Sequence, residues 1–143
     1  MQAVQIHNGF FVVLERGEDF VPSMTKFCEE QEVHWAAFSG IGALEDIQIG
    51  YYDLPNRQYV FRDEPGIFEV ASMTGNVSEV DEQPDIHTHV VLSRCDETLE
   101  TIGGHLKSAR VAVTLEICLW FVSQPLTRNM DDETGLNLIN VSV

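Results

Sequence analysis

The chain has 143 residues, of which 44% are hydrophobic and 22% are charged. These values suit one folded domain with its own core and exclude a disordered chain. The charge is unusual, because 23 Asp and Glu residues against 8 Lys and Arg residues give a net charge of −15. Such a chain repels nucleic acid phosphates and anionic lipids and attracts cations, so unaided DNA binding is not expected.

Cysteine usage and the first residues indicate the cellular compartment. Cys28, Cys95 and Cys118 are odd in number and too widely spaced for a Cys-x-x-Cys motif, which is typical of free thiols in a reducing compartment. Met1 to Gln5 contain no basic or apolar signal segment, and no apolar run reaches the length of a membrane span. We therefore expect a cytoplasmic protein of one domain, residues 1–143.

The predicted elements begin with a strand and a helix. Short, β-branched and aromatic residues over Gly9–Glu15 predict a buried strand. Asp19 is expected to cap a helix whose apolar stripe contains Phe20, Met24, Phe27 and Cys28. This stripe is typical of a helix that packs on a sheet rather than of a cofactor-binding helix.

Most of the remaining chain is predicted to form strands. They are expected over Asp46–Tyr52, Gln58–Arg62, Ile67–Val77, Ile86–Ser93 and Ala109–Phe121. The segment Ser39–Ala43, with its two glycines, is expected to form a bend. In the last strand every second residue is apolar, which predicts one buried face made of Ala109, Val111, Val113, Leu115, Ile117, Leu119 and Phe121. One helix against many strands predicts an α+β fold with a mostly antiparallel sheet.

Two histidines two positions apart provide the first candidate site. His87 and His89 share one face of a predicted strand, because residues i and i+2 of a strand point the same way. The alternate positions of Ile86–Leu92 fit packing on the core. The His-x-His pair alone is weak evidence, since five histidines in 143 residues produce it by chance roughly one time in seven.

A third histidine follows one short hairpin later. If the two predicted strands pair, His105 comes beside His87 and His89, and the preceding Gly103 and Gly104 let the backbones approach closely. Three neutral imidazoles around Zn²⁺ leave a fourth position for water, the open arrangement of catalytic zinc sites. Water bound there ionises near neutral pH. The alternative is polar packing, in which the histidines hydrogen-bond across a subunit interface and bind no metal.

Two acidic residues within apolar strands are candidates for proton transfer. If Glu69 and Glu116 face the histidines, either could orient a metal ligand or act as a general base. The alternative is that both residues are charges on a solvated face of the sheet or at an interface between subunits.

Ordered short motifs along nearly the whole chain resemble those of a known family. They are RGED at 16–19, FSGIGAL at 38–44, IGYYD at 49–53, EVASMTGN at 69–76, IHTH at 86–89, GGHL at 103–106 and TLE at 114–116. With these motifs and the ending DDETGL at 131–136, the chain resembles single-domain prokaryotic members of the plants and prokaryotes conserved (PPC) domain family. The resemblance extends from Phe10 to about Leu138.

The resemblance implies a fold, an assembly and a site. The fold is an antiparallel sheet flanked by a helix, and it is assembled as a homotrimer. Some prokaryotic members carry a bound metal at histidines that match His87, His89 and His105, so Zn²⁺ or another divalent ion is the expected cofactor. In plant members, AT-hook segments bind DNA while the domain mediates self-association, and the printed sequence contains no Arg-Gly-Arg-Pro hook.

Three functional hypotheses remain open. The first is a trimeric module that binds metal and a small molecule or has a regulatory role, with no direct nucleic acid or membrane partner. The second is a zinc-dependent enzyme of hydrolase or lyase type that uses metal-bound water, with Glu69 or Glu116 transferring protons. The third is an accessory domain of a DNA-binding regulator without its own hook. The sequence favours the module, because it supports metal binding better than catalysis.

Overall fold

Eight strands and one helix follow one another along residues 1–141, the part of the chain that the computed structural model describes. In chain order they are β1 (Gln2–Ile6), β2 (Gly9–Glu15), α1 (Phe20–Glu30), β3 (Ala36–Asp53), β4 (Gln58–Val80), β5 (Gln83–Arg94), β6 (Thr101–Phe121), β7 (Thr127–Met130) and β8 (Asn137–Asn140). Within these residues, no helix has the length and apolar character needed to cross a membrane.

The strands form one sheet that is almost entirely antiparallel, which confirms the predicted α+β class. The strand order is β1-β2-β6-β3-β4-β7-β8, and β5 pairs with both β4 and β6. Strand β3 also pairs with both β4 and β6. Strands β3, β4, β5 and β6 therefore form a closed ring of pairings, in which each strand has a partner on both sides. Within residues 1–141 the one parallel pairing joins Glu79 of β4 to Thr127 of β7.

Helix α1 covers the core through its apolar stripe. The predicted stripe residues are all buried, and they are Phe20, Met24, Phe27 and Cys28. Burial also raises the pKa of the Cys28 thiol to about 12. Asp19 occupies the N-cap position in an extended conformation, but its side chain makes no capping hydrogen bond. The position of the helix is therefore decided by packing against β5 and β6 rather than by a cap.

Strand β6 departs from the predicted alternation. Five of the seven residues expected to face inward are buried, whereas Val113 is 63% exposed. In the pairing of β6 with β3, Gly42 faces Leu115 while Leu44 faces Val111, so β6 contains two more residues than β3 in this interval. A bulge of this kind turns side chains away from the core. The prediction of an unbroken buried face is therefore wrong at Val113, and it is also wrong at Phe121, which is 36% exposed at the end of the strand.

The predicted bend at Ser39–Ala43 is also wrong, because these residues lie inside β3. Their glycines allow close backbone packing instead of a turn. A Cβ atom at Gly42 would overlap the carbonyl oxygen of Thr114, and one at Gly40 would lie 3.1 Å from the carbonyl oxygen of Glu116. The pairing of β3 with β4 shifts register between Gly40 and Gly42. The strand thus continues through a glycine bulge.

The histidines lie at one end of the outer face, defined here as the side of the sheet that is turned away from the core. One row of directly paired residues crosses this face from β2 to β5, and it consists of Phe11, Cys118, Ser39, Thr74 and His89. All five side chains are exposed or half-buried. The row continues from His89 of β5 to His105 of β6.

Candidate metal centre

Three histidines converge on the outer face where β5 meets β6. His89 of β5 pairs directly with His105 of β6, and His87 lies two residues away from His89 on the same face. The three ring centroids are 5.0, 5.2 and 5.5 Å apart. One possible ligand nitrogen from each ring lies within 4.8 Å of the others. The strand pairing that was expected to bring His105 to the other two is confirmed.

Local sequence explains why the rings point outward. The alternate positions of β5 are buried, and they are occupied by Ile86, Thr88, Val90 and Leu92. Because strand side chains alternate, burial of these residues turns His87 and His89 away from the core. On β6, a Cβ atom at Gly104 would lie 2.6 Å from the carbonyl oxygen of Gly50. Glycine at this position therefore allows β6 to approach β3 and places His105 opposite Gly50.

Two features of the rings suit a divalent cation, namely their protonation state and one unpartnered nitrogen. Burial, followed by the charge of Arg128, lowers the pKa of His87 to about 4, and burial also lowers the pKa of His105. Both rings are therefore neutral at pH 7, the form in which imidazole binds metals. Nδ1 of His105 is buried and has no hydrogen-bond partner within residues 1–141. Such an atom is costly unless an ion or ligand satisfies it.

A buried arginine of β7 contacts His87. The side chain of Arg128 is 8% exposed, and its Nε lies 3.0 Å from an Asp85 oxygen. It donates hydrogen bonds to Ser78 Oγ at 2.7 Å, to Asn76 Oδ1 at 3.0 Å and to His87 Nδ1 at 2.9 Å. Sequence reasoning missed Arg128, because this contact joins residues 41 positions apart. The sequence offered one indication of its role, because Arg128 is a basic residue shortly before the acidic run Asp131–Glu133.

A cavity of about 410 Å³ opens beside His87 and His105. The ring of Tyr59 lies 4.8 Å from that of His105, and the hydroxyl of Tyr52 donates to the backbone oxygen of Thr134 at 2.7 Å. The β7–β8 hairpin completes the wall with polar and apolar residues, namely Arg128, Met130, Gly135, Leu136 and Asn137. A cavity with this volume and lining suits a small organic molecule.

The structure does not bring the two candidate acids to the histidines. Glu69 lies beside Cys95, whose sulfur is 3.9 Å from the carboxylate, and it does not line the cavity. Glu116 lines a separate groove and is eleven residues from His105 on β6, roughly 36 Å along the strand. Within one chain, neither carboxylate can transfer a proton at a metal held by the histidines.

Two comparisons with known proteins name the same family. The family model of the Plants and Prokaryotes Conserved (PCC) domain matches residues 1–122. Among solved structures, a metal-containing protein from Archaeoglobus fulgidus is 36% identical, with a TM-score of 0.85 over 96% of each chain. A PPC protein from Pyrococcus horikoshii is 27% identical, with a TM-score of 0.86 over 99% of this chain and 95% of that one.

A third structure shows the same fold at lower identity. It is a candidate DNA-binding protein from Bacteroides thetaiotaomicron, 24% identical, with a TM-score of 0.90 over 97% of this chain and 96% of that one. No curated protein matches the chain at a significant level. The family model covers all three histidines and ends before the β7–β8 hairpin. By its match over residues 1–122, this chain is a member of the Plants and Prokaryotes Conserved (PCC or PPC) domain family.

Proposed function

We propose that the protein is a metal-dependent binding module that assembles as a homotrimer in the cytoplasm. His87, His89 and His105 hold a divalent ion, with Zn²⁺ first because imidazole suits it, and the adjoining cavity takes a small molecule. The proposal rests on the convergence of three ligand nitrogens within 4.8 Å of one another. The metal-containing relative from Archaeoglobus fulgidus supports it. A bound ion would act as a Lewis acid toward an oxygen of the ligand.

Elemental analysis of protein purified without a polyhistidine tag tests the metal site. After dialysis against zinc, we expect about one ion per chain in the wild type and near-complete loss in His89→Ala. The control is His7→Ala, because His7 is exposed and lies outside the cluster. Substoichiometric metal in the wild type, unchanged in His89→Ala, would remove the basis of the proposal.

An exposed apolar patch on the outer face supports self-association. Phe11, Ile41 and Trp120 are 37%, 61% and 42% exposed, and the first two line a groove of about 320 Å³. Burying such side chains against another copy is favourable. The row that begins at Phe11 reaches His89, so a neighbouring copy seated on this face would lie beside the histidines. The homotrimer that the family resemblance implies is consistent with this surface.

Sedimentation tests the assembly. We expect the wild type to sediment as a trimer and Ile41→Glu to dissociate, because a buried carboxylate without a partner is costly. Val4→Glu is the matched control, since Val4 is 60% exposed on β1 and does not line the groove. A monomeric wild type, or equal association of both variants, would contradict the assembly.

A zinc-dependent enzyme of hydrolase or lyase type is the second candidate. It is favoured by the cavity beside the histidines and by a ligand set of three, which leaves a coordination position open. Among residues 1–141, one carboxylate lines the cavity, that of Asp85, and it is paired with Arg128 at 3.0 Å. Because this pairing engages the carboxylate that could transfer a proton, the module is the better-supported function. Ester hydrolysis that a chelator stops and zinc restores would favour the enzyme.

A further inference from the structure

The contact between Arg128 and His87 conflicts with metal binding. A guanidinium group only donates, so His87 Nδ1 accepts the bond at 2.9 Å and the ring proton lies on Nε2. A metal bound at Nδ1 would take the lone pair that Arg128 uses. A metal bound at Nε2 would move the proton to Nδ1, where it would face another donor. With a neutral ring, metal binding through either nitrogen therefore breaks the hydrogen bond to Arg128.

The broken bond leaves a cationic donor without an acceptor. The same Arg128 nitrogen keeps its bond to Asn76 Oδ1 at 3.0 Å, and Nε stays 3.0 Å from the Asp85 carboxylate. These contacts hold the guanidinium in place beside the cavity that it lines. Because the side chain is 8% exposed, the free N–H is poorly hydrated. A charged donor in this position strongly favours an oxygen acceptor that carries negative charge.

The charged groups of the cavity favour an anion as well. Asp85 is matched by Arg128, whereas Arg57 makes no ion pair within residues 1–141 and donates to the backbone oxygen of Glu133 at 3.0 Å. Tyr52 and Leu136, which line the cavity with Arg57, offer contact to an organic body.

We propose that the metal-loaded cavity binds a small organic anion, with a carboxylate or phosphate oxygen accepting the Arg128 N–H that metal binding releases from His87. This inference rests on the proposed metal site. It makes Arg128 the residue that couples the two ligands, because the metal breaks the bond that keeps the donor occupied. Coupling is reciprocal, so the anion also strengthens metal binding.

Calorimetric titration of the metal-free and zinc-loaded protein tests the coupling. The probes are succinate, glycerol 2-phosphate and the neutral analogue succinamide. The anion that binds more tightly shows whether the site prefers a carboxylate or a phosphate. We expect at least one anion to bind the zinc-loaded protein about tenfold more tightly than the metal-free protein, and more tightly than succinamide. Equal binding with and without zinc, or no preference over succinamide, would overturn the inference.

Variants at Arg128 separate its role from direct coordination by zinc. Zinc-loaded Arg128→Gln should keep its metal and lose about tenfold to a hundredfold in anion affinity, whereas the exposed control Arg16→Gln should behave as the wild type. Arg128→Lys keeps the positive charge but replaces the guanidinium fork with a single ammonium group, so its anion affinity should fall between those of the wild type and Arg128→Gln. This variant replaces Arg128→Gln in the test if Arg128→Gln does not fold. Wild-type affinity in both Arg128 variants overturns the inference and leaves the metal site standing. Absence of zinc binding in the wild type overturns both the inference and the proposed metal site.

Discussion

At the scale of single residues, Gly75 shows how closely the histidine strand is packed. A Cβ atom at Gly75 would overlap the ring of Phe38 and the carbonyl oxygen of His87. The neighbours of Gly75 on β4 pair directly with His87 and His89. The absent side chain therefore lets β4 and β5 approach each other with an aromatic ring of the core packed against them.

We expect Gly75→Ala to lower the free energy of unfolding by about 1–3 kcal/mol, because an added methyl group overpacks this position. Thr74→Ala, at the exposed neighbouring position, should change it by no more than about 0.5 kcal/mol. Urea unfolding of the metal-free proteins measures both values. Equal stability of the two variants would show that β5 can move away without cost.

At the scale of elements, the β7–β8 hairpin depends on Asp131. One oxygen of Asp131 accepts hydrogen bonds from the Thr134 backbone N–H at 2.8 Å and from its hydroxyl at 2.6 Å. These bonds lower the pKa of Asp131 below its ordinary value of 3.8. Their contribution to stability is therefore present above pH 3.8 and is lost as the pH falls through the lower folded value. Near neutral pH the Asp131 carboxylate is therefore ionised and keeps both bonds, which close the loop between β7 and β8.

Removing this carboxylate should loosen the hairpin and leave the central strands intact. In Asp131→Ala we expect amide hydrogen exchange over residues 127–140 to accelerate about tenfold, with little change in β3 to β6. Asp132→Ala, at an exposed position with no such bonds among those described, is the control. Unchanged exchange in Asp131→Ala, measured by mass spectrometry, would mean that the Arg128 contacts alone hold the hairpin.

At the scale of the whole molecule, the net charge of −15 predicts that nucleic acid is not a direct partner. Protein affinity for DNA depends largely on cations that neutralise phosphates, and 8 Lys and Arg residues face 23 acids here. The description of the Bacteroides thetaiotaomicron relative as a candidate DNA-binding protein belongs to that protein. At 24% identity, the likeness transfers the fold alone.

Fluorescence anisotropy with a labelled DNA duplex tests this expectation. We expect no binding with a dissociation constant below about 100 µM at physiological salt, the weak limit of non-specific DNA binding. The zinc-loaded protein should behave in the same way, because one divalent ion per chain leaves a large negative charge. A micromolar constant that weakens as salt is added would contradict the argument from charge.

The sequence by itself determined the features that follow from local periodicity. It predicted β2 over Gly9–Glu15, the buried stripe of α1, and the face of β5 that carries His87 and His89, and the structure has all three. These predictions hold because backbone geometry repeats every 3.6 residues in a helix and every two in a strand. Neighbouring residues therefore decide which side chains can share a face.

Only the tertiary structure decided what depends on register and on distant contacts. A bulge between β6 and β3 exposes Val113. The segment Ser39–Ala43, for which the sequence predicts a bend, is part of strand β3. The long strand β6 carries Glu116 far from His105. The hairpin that places Arg128 on His87 brings together residues 41 positions apart. Such contacts arise from the packing of the whole chain, so no local pattern of residues could specify them.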